Sequence, residues 1–422
     1  MLRRRDLFGL AASGLFLPRR LLAAPPANDR KFLFIYCYGG WDTSMVYSPM
    51  FDVINASVEG DADIATARGI TYVDSPQRPN VKSFFETWGD RACMINGMEV
   101  RSVTHERCQR ILMTGSAESG NDDWPAIAAG NGADGLLLPH LVISGPAFST
   151  AYSDRIVRVG ENGQLIELLD GTALDRSAVP VTPPSADAQA LGNAFLTRRL
   201  ESFRASAGAG APTTFADRYA GALTDTEALR AMSATLNLDP AGGGCSRDIA
   251  SDAATALDCF ALGISRCAIT RHDGWCAVGW DTHVSNSYQS LHYDELFGFL
   301  DQIMTDLDGR TGVSGAPLRD EVTIVVLSEM GRHPTLNAGG GKDHWTFTSC
   351  LLIGSGIRGG QTLGELDENA LGRPLDLVTG ELDDGGEALL PTHLGASLLT
   401  LADIDPAEFL TTGAPILAAL DG

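Results

Sequence analysis

Two uninterrupted apolar runs constrain this chain more than any other feature. Lys31-Phe-Leu-Phe-Ile-Tyr-Cys-Tyr38 and Glu321-Val-Thr-Ile-Val-Val-Leu-Ser328 place aromatic and β-branched residues side by side without polar alternation. A strand with one wet face alternates. A strand apolar on both sides must be covered on both, the condition of a mostly parallel sheet between helices. Shorter candidates for the same sheet are Ala92 to Met98, Leu138 to Ser144, Cys267 to Thr270 and Cys350 to Gly354. Helical patterns separate them. Ala253 to Gly263 and His393 to Leu401 read as helices, and Tyr288 to Leu307 carries Leu291, Leu296, Phe299, Leu300, Ile303 and Leu307 at helical spacing. Alternating strands and helices predict an α/β sandwich of three layers with a mostly parallel central sheet. The stretch 185–250 differs. Leu191 to Arg204 and Phe215 to Leu236 read as helices broken at Gly208 to Pro212, a helical insertion packed on the main sheet.

The first residues read as an export signal. Arg3-Arg4-Arg5-Asp6-Leu7-Phe8 precedes an apolar stretch from Gly9 to Leu17, and small residues follow through Ala27. That order makes a signal peptide over 1–27, with cleavage expected between Ala24 and Asn28. Arg4-Arg5-x-Leu-Phe is similar to the twin-arginine form, which implies the twin-arginine translocase and a periplasmic or extracellular destination. The remainder, 28–422, reads as one large domain. No later run reaches the roughly 18 apolar residues of a membrane span. Formal net charge is −22, and the first 24 residues hold five Arg and one Asp, so the remainder is more acidic still. Such a charge repels nucleic acid and anionic membrane surfaces, and an anionic substrate needs a local cation. The eight Cys show no CxxC spacing. Export permits disulfides, and local pattern suggests Cys267 with Cys276 or Cys245 with Cys259. Cys37 and Cys350 read as buried small residues.

Ligands of parallel sheets sit beyond the carboxyl ends of the strands, so candidate chemistry is sought there. Gly39-Gly40-Trp41-Asp42 follows the first strand; its glycines allow a close turn and Asp42 can reach a site at the sheet edge. Gly279-Trp280-Asp281-Thr282-His283 precedes the long helix. Two residues apart in extended backbone, Asp281 and His283 share a side, which suits two ligands of one ion. Glu329 ends the second long strand, Arg332 follows it, and Gly339-Gly340-Gly341-Lys342-Asp343-His344-Trp345 can fold back over the sheet. Arg332 and Lys342 are cations placed to meet an anionic substrate. Carboxylate with imidazole suits zinc, manganese or iron; carboxylates alone suit calcium or magnesium.

Together GGWD, WDTH, the strand with SEMGR, GGGKDHW and IGSGIRGGQTLG resemble the domain-of-unknown-function 1501 family, from about Lys31 to Ile404. The resemblance implies export and the sulfatase-like fold of the alkaline phosphatase superfamily. It also implies metal-assisted hydrolysis of a phosphate or sulfate ester, small or polymeric. Carried over, Asp42, Asp281, His283, Glu329 and His344 are candidate ligands of a divalent ion (zinc, manganese or calcium), and Asp343 a ligand or a group that orients one. The departures are specific. Asp42 comes later than the superfamily's first metal Asp, Glu329-Met330 replaces an Asp-His pair, and Asp281-x-His283 replaces Asp-x-x-x-His. The nucleophile position falls on His105, beside Thr104, where neither Cys nor Ser stands. That argues against a formylglycine mechanism and leaves His105 as a nucleophile, a ligand or a packed histidine. Thr104 needs a base or a metal to act. The rival reading is a non-catalytic binding or assembly protein that kept the fold. A secreted carbohydrate-binding module is opposed by an aromatic content of only 7% without a stacked pattern.

Overall fold

The computed structural model describes residues 30–133, 135–158, 184–207, 210–232 and 245–421. The signal-peptide reading, with its cleavage site, lies outside the described residues. So does the stretch 233–244 of the insertion.

The first apolar run forms β1 (Lys31–Cys37), buried along its whole length. Its side chains divide by parity. Leu33, Ile35 and Cys37 enter one core cluster, while Phe32, Phe34 and Tyr36 enter another on the opposite face. One strand thus needs two helical layers. On the first face lie α1 (Pro79–Trp88), α6 (Ile249–Ala261) and α7 (Tyr288–Asp308). On the second lie α2 (His105–Thr114), α3 (Trp124–Gly130) and α8 (Pro391–Leu401). Within α7 the inward stripe includes Tyr293, Leu296, Phe297, Leu300, Ile303 and Leu307, whereas Leu291 is 40% exposed. The helical pair of the insertion is α4 (Ala186–Ala207) with α5 (Ala211–Met232).

Beside β1 run β7 (Cys267–His272) and β8 (Val322–Leu327), both parallel to it. Beyond β7 lie β5 (His140–Val142) and β6 (Ile156–Arg158), also parallel. On the other side β11 (Phe347–Gly354) separates β8 from β4 (Ala92–Glu99), and β12 (Gln361–Leu363) closes that edge. The full order is β12-β4-β11-β8-β1-β7-β5-β6. Only β11 runs against its neighbours. The chain between β8 and β11 makes no helical crossover. It turns through the short pair β9 (Gly331–Arg332) and β10 (His344–Trp345) and re-enters the sheet from the same end. A separate hairpin, β2 (Asp63–Ala67) with β3 (Ile70–Asp74), had no counterpart in the sequence reading. Because β4 opposes β11, it runs with β1, β7 and β8. The carboxyl ends of all four strands meet at one sheet edge.

Neither suggested disulfide forms. The bond joins Cys245 to Cys276, whose Cα atoms are 4.4 Å apart. Cys267 lies within β7 in the core of the second face, and Cys259 lies in the core on α6. Burial in separate layers keeps both from a loop cysteine. Cys37 and Cys350 are buried and free. Among the described residues no helix is long and apolar enough to cross a membrane.

A candidate metal centre at the carboxyl edge of the sheet

Three histidines from distant segments meet one carboxylate at that edge. His105 opens α2 just after β4, Asp281 and His283 lie between β7 and α7, and His344 begins β10. Ligand atoms of His105, Asp281 and His344 all lie within 4.8 Å of one another. Asp281 Oδ2 is 3.4 Å from His105 Nε2. Its Oδ1 is 3.1 Å from His344 Nε2 and 3.2 Å from His283 Nε2. His283 Nε2 and His344 Nε2 are 3.0 Å apart.

The far nitrogens decide what this convergence means. His344 Nδ1 lies 2.7 Å from the Val103 carbonyl oxygen, which can only accept, so Nδ1 carries the hydrogen. His105 Nδ1 lies 2.8 Å from Glu329 Oε1, and His283 Nδ1 lies 3.1 Å from Asp343 Oδ1. Both carboxylates likewise accept a hydrogen bond from Nδ1–H. A ring that is neutral, with its hydrogen on Nδ1, therefore turns an Nε2 lone pair toward the Asp281 carboxylate. Lone pairs do not attract one another at 3 Å; a proton or a metal ion must lie between them. Imidazoles held at one nitrogen by a carboxylate or carbonyl are the usual outer frame of a metal site. The chemistry of the donor set thus fits an ion.

Without an ion, protons hold the set together. Hydrogen bonds to Asp281, then to Glu329, push the His105 pKa up to about 9 against the opposing effect of burial. Burial pushes the Asp281 carboxyl up, but hydrogen bonds from His105, His344 and Arg332, with the guanidinium charge, outweigh it and hold the group well below the usual carboxylate range. Hydrogen bonds from Asn337 and His283 lower Asp343 as well.

Local sequence explains how four segments come so close. Gly39 has φ +125°, and a Cβ there would stand 2.6 Å from the Asp281 nitrogen, so the first strand can turn beneath this loop only as glycine. The Gly39 N–H donates to Glu329 Oε1 at 2.9 Å, tying β1 to the residue that holds His105. Gly341 packs against the His283 backbone where a side chain would collide. Behind the loop, Cys276 is bonded to Cys245, and its N–H donates to Ser246 Oγ at 2.7 Å.

The sequence-predicted residues do not all come together. Asp281, His283 and His344 come together, joined by His105. Glu329 and Asp343 stand one layer out, accepting from His105 and His283. Asp42 is not in the cluster. It is fully buried, with Lys342 Nζ 2.8 Å from Oδ2, Asn286 Nδ2 2.7 Å from the same atom and Ser44 Oγ 2.6 Å from Oδ1. Burial raises its carboxyl, but the Lys342 charge and these hydrogen bonds outweigh it and lower the pKa. Lys342 is buried in the same pair and also donates to Ser44 Oγ at 2.9 Å. Arg332, likewise fully buried, donates to the carbonyls of Gly39, Gly40, Trp280 and Lys342 and lies 2.6 Å from Asp281 Oδ1. Both cations read as substrate contacts are therefore engaged inside the protein. They fasten the glycine turns and the Asp281 carboxylate. Thr104 stands exposed at the start of α2, and its side chain makes no capping bond. The Val103 carbonyl was missed; a backbone acceptor leaves no mark in sequence.

The cluster is open on one side. Asp281 and His283 are 45% and 44% exposed, whereas His105 and His344 are each 18% exposed. Tyr38, 38% exposed, borders it with its ring 5.8 Å from that of His105.

The sequence model of a family described as "Protein of unknown function (DUF1501)" matches residues 79–378. No curated protein matches the chain. Among solved structures, one in complex with its substrate D-glucosamine-2-N,6-O-disulfate is 11% identical, with 92% of this chain and 81% of that chain covered at a TM-score of 0.33. Another, a "4S-sulf" protein from work on glycosaminoglycan metabolism by Bacteroides thetaiotaomicron, is 8% identical, with coverages of 92% and 75% and a TM-score of 0.35. Likeness at these scores decides neither fold nor reaction.

Proposed function

This chain belongs to the DUF1501 family, and we propose that it is an exported, metal-dependent hydrolase-like protein acting on phosphate or sulfate esters, on a scaffold of the alkaline phosphatase type. The carrying observation is the convergence of three Nε2 lone pairs on Asp281, with each Nδ1 held by an oxygen acceptor. His105, His344 and Asp281 would hold the ion, with His283 Nε2 next to Asp281 Oδ1 and His344 Nε2. Imidazoles with one carboxylate suit zinc or manganese better than calcium, which prefers oxygen donors. When bound, such an ion supplies Lewis-acid polarisation and positive charge opposite the anionic ester.

The chain's own groups orient this site. Glu329, Asp343 and the Val103 carbonyl keep the rings in one tautomer and one rotation. Arg332 fixes the Asp281 carboxylate. The exposed flank beside His283 leaves room for a substrate. No side-chain nucleophile is assigned, because His105 is engaged at both nitrogens. Export through the twin-arginine route is supported by the N-terminal pattern and by the Cys245–Cys276 bond, since disulfides persist in oxidising compartments.

One observation favours the rival reading, a binding protein with a structural ion. Arg332 and Lys342 are both engaged internally and are not offered to an anion. Metal content and ester turnover of the exported protein, measured beside a His283→Ala/His344→Ala double variant, separate the two. The expectation is stoichiometric zinc or manganese, lost in the variant, with phosphatase or sulfatase turnover that disappears alongside it. Metal without turnover across phosphate and sulfate esters selects the binding protein. Absence of metal, with none regained on adding zinc or manganese, overturns the site.

A further inference from the structure

The loop that carries Asp281 and His283 is held in a backbone shape that most residues avoid. Cys276, Ala277 and Ser285 have φ of +50°, +55° and +57°, in the left-handed region. They are three of the eight non-glycine residues with left-handed φ in the described chain, and all three lie between β7 and α7. Residues keep such a shape only where surrounding contacts impose it.

Those contacts lie at the rear of the loop. Cys276 is bonded to Cys245, and its N–H donates to Ser246 Oγ at 2.7 Å. Ser246 Oγ–H donates to Glu295 Oε1 at 2.5 Å, and Glu295 Oε2 faces His272 Nε2 at 3.1 Å. His272 Nδ1 accepts at 3.1 Å from the indole N–H of Trp280, the residue before Asp281. His292 ties the same stretch twice, accepting from the Trp275 N–H and donating to the Gly279 carbonyl. Among the described residues the disulfide is the one covalent tie from this loop to another segment. It is also the sulfur pair that solvent reaches. Cys245 is exposed and Cys276 half-buried, whereas the six free cysteines are all buried. A reductant in solution therefore meets this bond first.

We propose that Cys245–Cys276 is a redox latch on the candidate metal centre. Closed, it imposes the loop shape that presents Asp281 with His283 beside it. Opened, it lets the loop relax and weakens its hold on the ion. The effect on the ion rests on the proposed metal centre; the effect on the loop does not. Opening takes a dithiol. One of its thiolates attacks a sulfur of the pair, the S–S bond breaks as a mixed disulfide forms, and the second thiol closes the reagent's own disulfide. The dithiol loses two electrons and two protons, and Cys245 and Cys276 gain them as thiols.

The test combines hydrogen exchange with zinc titration of the full chain, oxidised and after mild treatment with dithiothreitol, beside Cys245→Ser/Cys276→Ser. Reductant is removed and the two thiols are alkylated before zinc is added, so that neither competes for the ion. The expected result is faster exchange from Trp275 to His283, unchanged exchange in β8, and zinc affinity lowered about tenfold, the low end for groups behind a metal site. Reoxidation of a portion left unalkylated should restore both. Reduced wild type decides the matter if the double variant does not fold. Loop exchange unmoved by reduction overturns the latch, and so does exchange that quickens equally in β8. A looser loop with unchanged zinc affinity overturns its hold on the ion. A looser loop with no zinc bound in either redox state supports the latch and faults the metal centre instead.

Discussion

Two groups of histidines flank the loop from Asp273 to Ser287, and they differ in one respect. Behind the loop, His272 Nδ1 accepts from Trp280 Nε1–H at 3.1 Å, and its Nε2 faces Glu295 Oε2 at 3.1 Å. His292 Nδ1 accepts from the Trp275 N–H at 2.8 Å, and its Nε2–H donates to the Gly279 carbonyl at 3.0 Å. Each ring has one donor and one acceptor satisfied, and burial lowers the His292 pKa to about 4, so the neutral ring is complete as it stands. In front of the loop, His105, His283 and His344 meet an oxygen acceptor at Nδ1, and at Nε2 all three face the acceptor oxygens of Asp281, with His283 and His344 also facing each other. What separates scaffold from candidate ligand is whether the second nitrogen has a protein partner of opposite polarity. The rear group shapes the loop and the front group uses it.

The sharpest way to break this comparison is to remove one ring from each side. His344→Ala is expected to release bound metal, with affinity lowered by at least about a hundredfold, beyond the range typical of outer-layer groups. His272→Ala is expected to keep metal stoichiometry while costing about 1–3 kcal/mol of stability, because Trp280 and Glu295 lose their partner in the interior. Metal analysis paired with denaturant unfolding reads both, and equal metal loss in the two variants would erase the distinction.

Next in size is the bond that anchors the rear of the loop. Cys245→Ser with Cys276→Ser opens a crosslink between residues 31 apart in sequence. Loss of that constraint is expected to cost about 3 kcal/mol, seen as a lower unfolding midpoint that reductant reproduces in wild type. A midpoint unmoved by both treatments would mean that the rear group holds the loop unaided.

Glu329→Gln probes the layer behind the front rings. It keeps the shape but weakens the acceptor for His105 Nδ1, and metal affinity should fall about 10–100-fold in a chelator competition. Unchanged affinity would make Glu329 a packing residue only.

The last test concerns a histidine with neither kind of partner. His140 opens β5, is fully buried, and has no hydrogen bond at either ring nitrogen among the described residues. Burial, with the Arg158 charge, pushes its pKa down to about 3. The unfolded chain therefore binds a proton below about pH 6.5 that the native ring refuses. Stability is fully present above that pH and falls toward pH 3, by about 1.4 kcal/mol per unit once the unfolded ring is mostly charged. Unfolding of His140→Leu against wild type from pH 7 to 4 should show a shallower decline. Parallel profiles would mean that the ring is solvated or paired.

The layered sheet was legible in the chain because burial on both faces writes itself into consecutive residues. Lys31 to Cys37 and Val322 to Leu327 have no polar side to hide. Glycine left a mark too: Gly39 and Gly341 are required where backbones nearly touch. Asp281, His283 and His344 were legible as ligand candidates because they stand in loops after strands, where the fold places ligands. Tertiary structure alone decided the rest. Asp42, Lys342 and Arg332 carry the same charges as residues that meet substrates. Their roles follow from the depth at which they are buried and the partners that neutralise them, and both depend on segments hundreds of residues apart. The same holds for Cys276, which pairs across space with Cys245 rather than with a neighbour in local pattern. Local sequence determines which face of a strand is apolar and where the backbone can bend. Whether a histidine's two nitrogens meet a donor and an acceptor or two acceptors is set by long-range packing, and in this protein that choice separates a scaffold from a candidate metal centre.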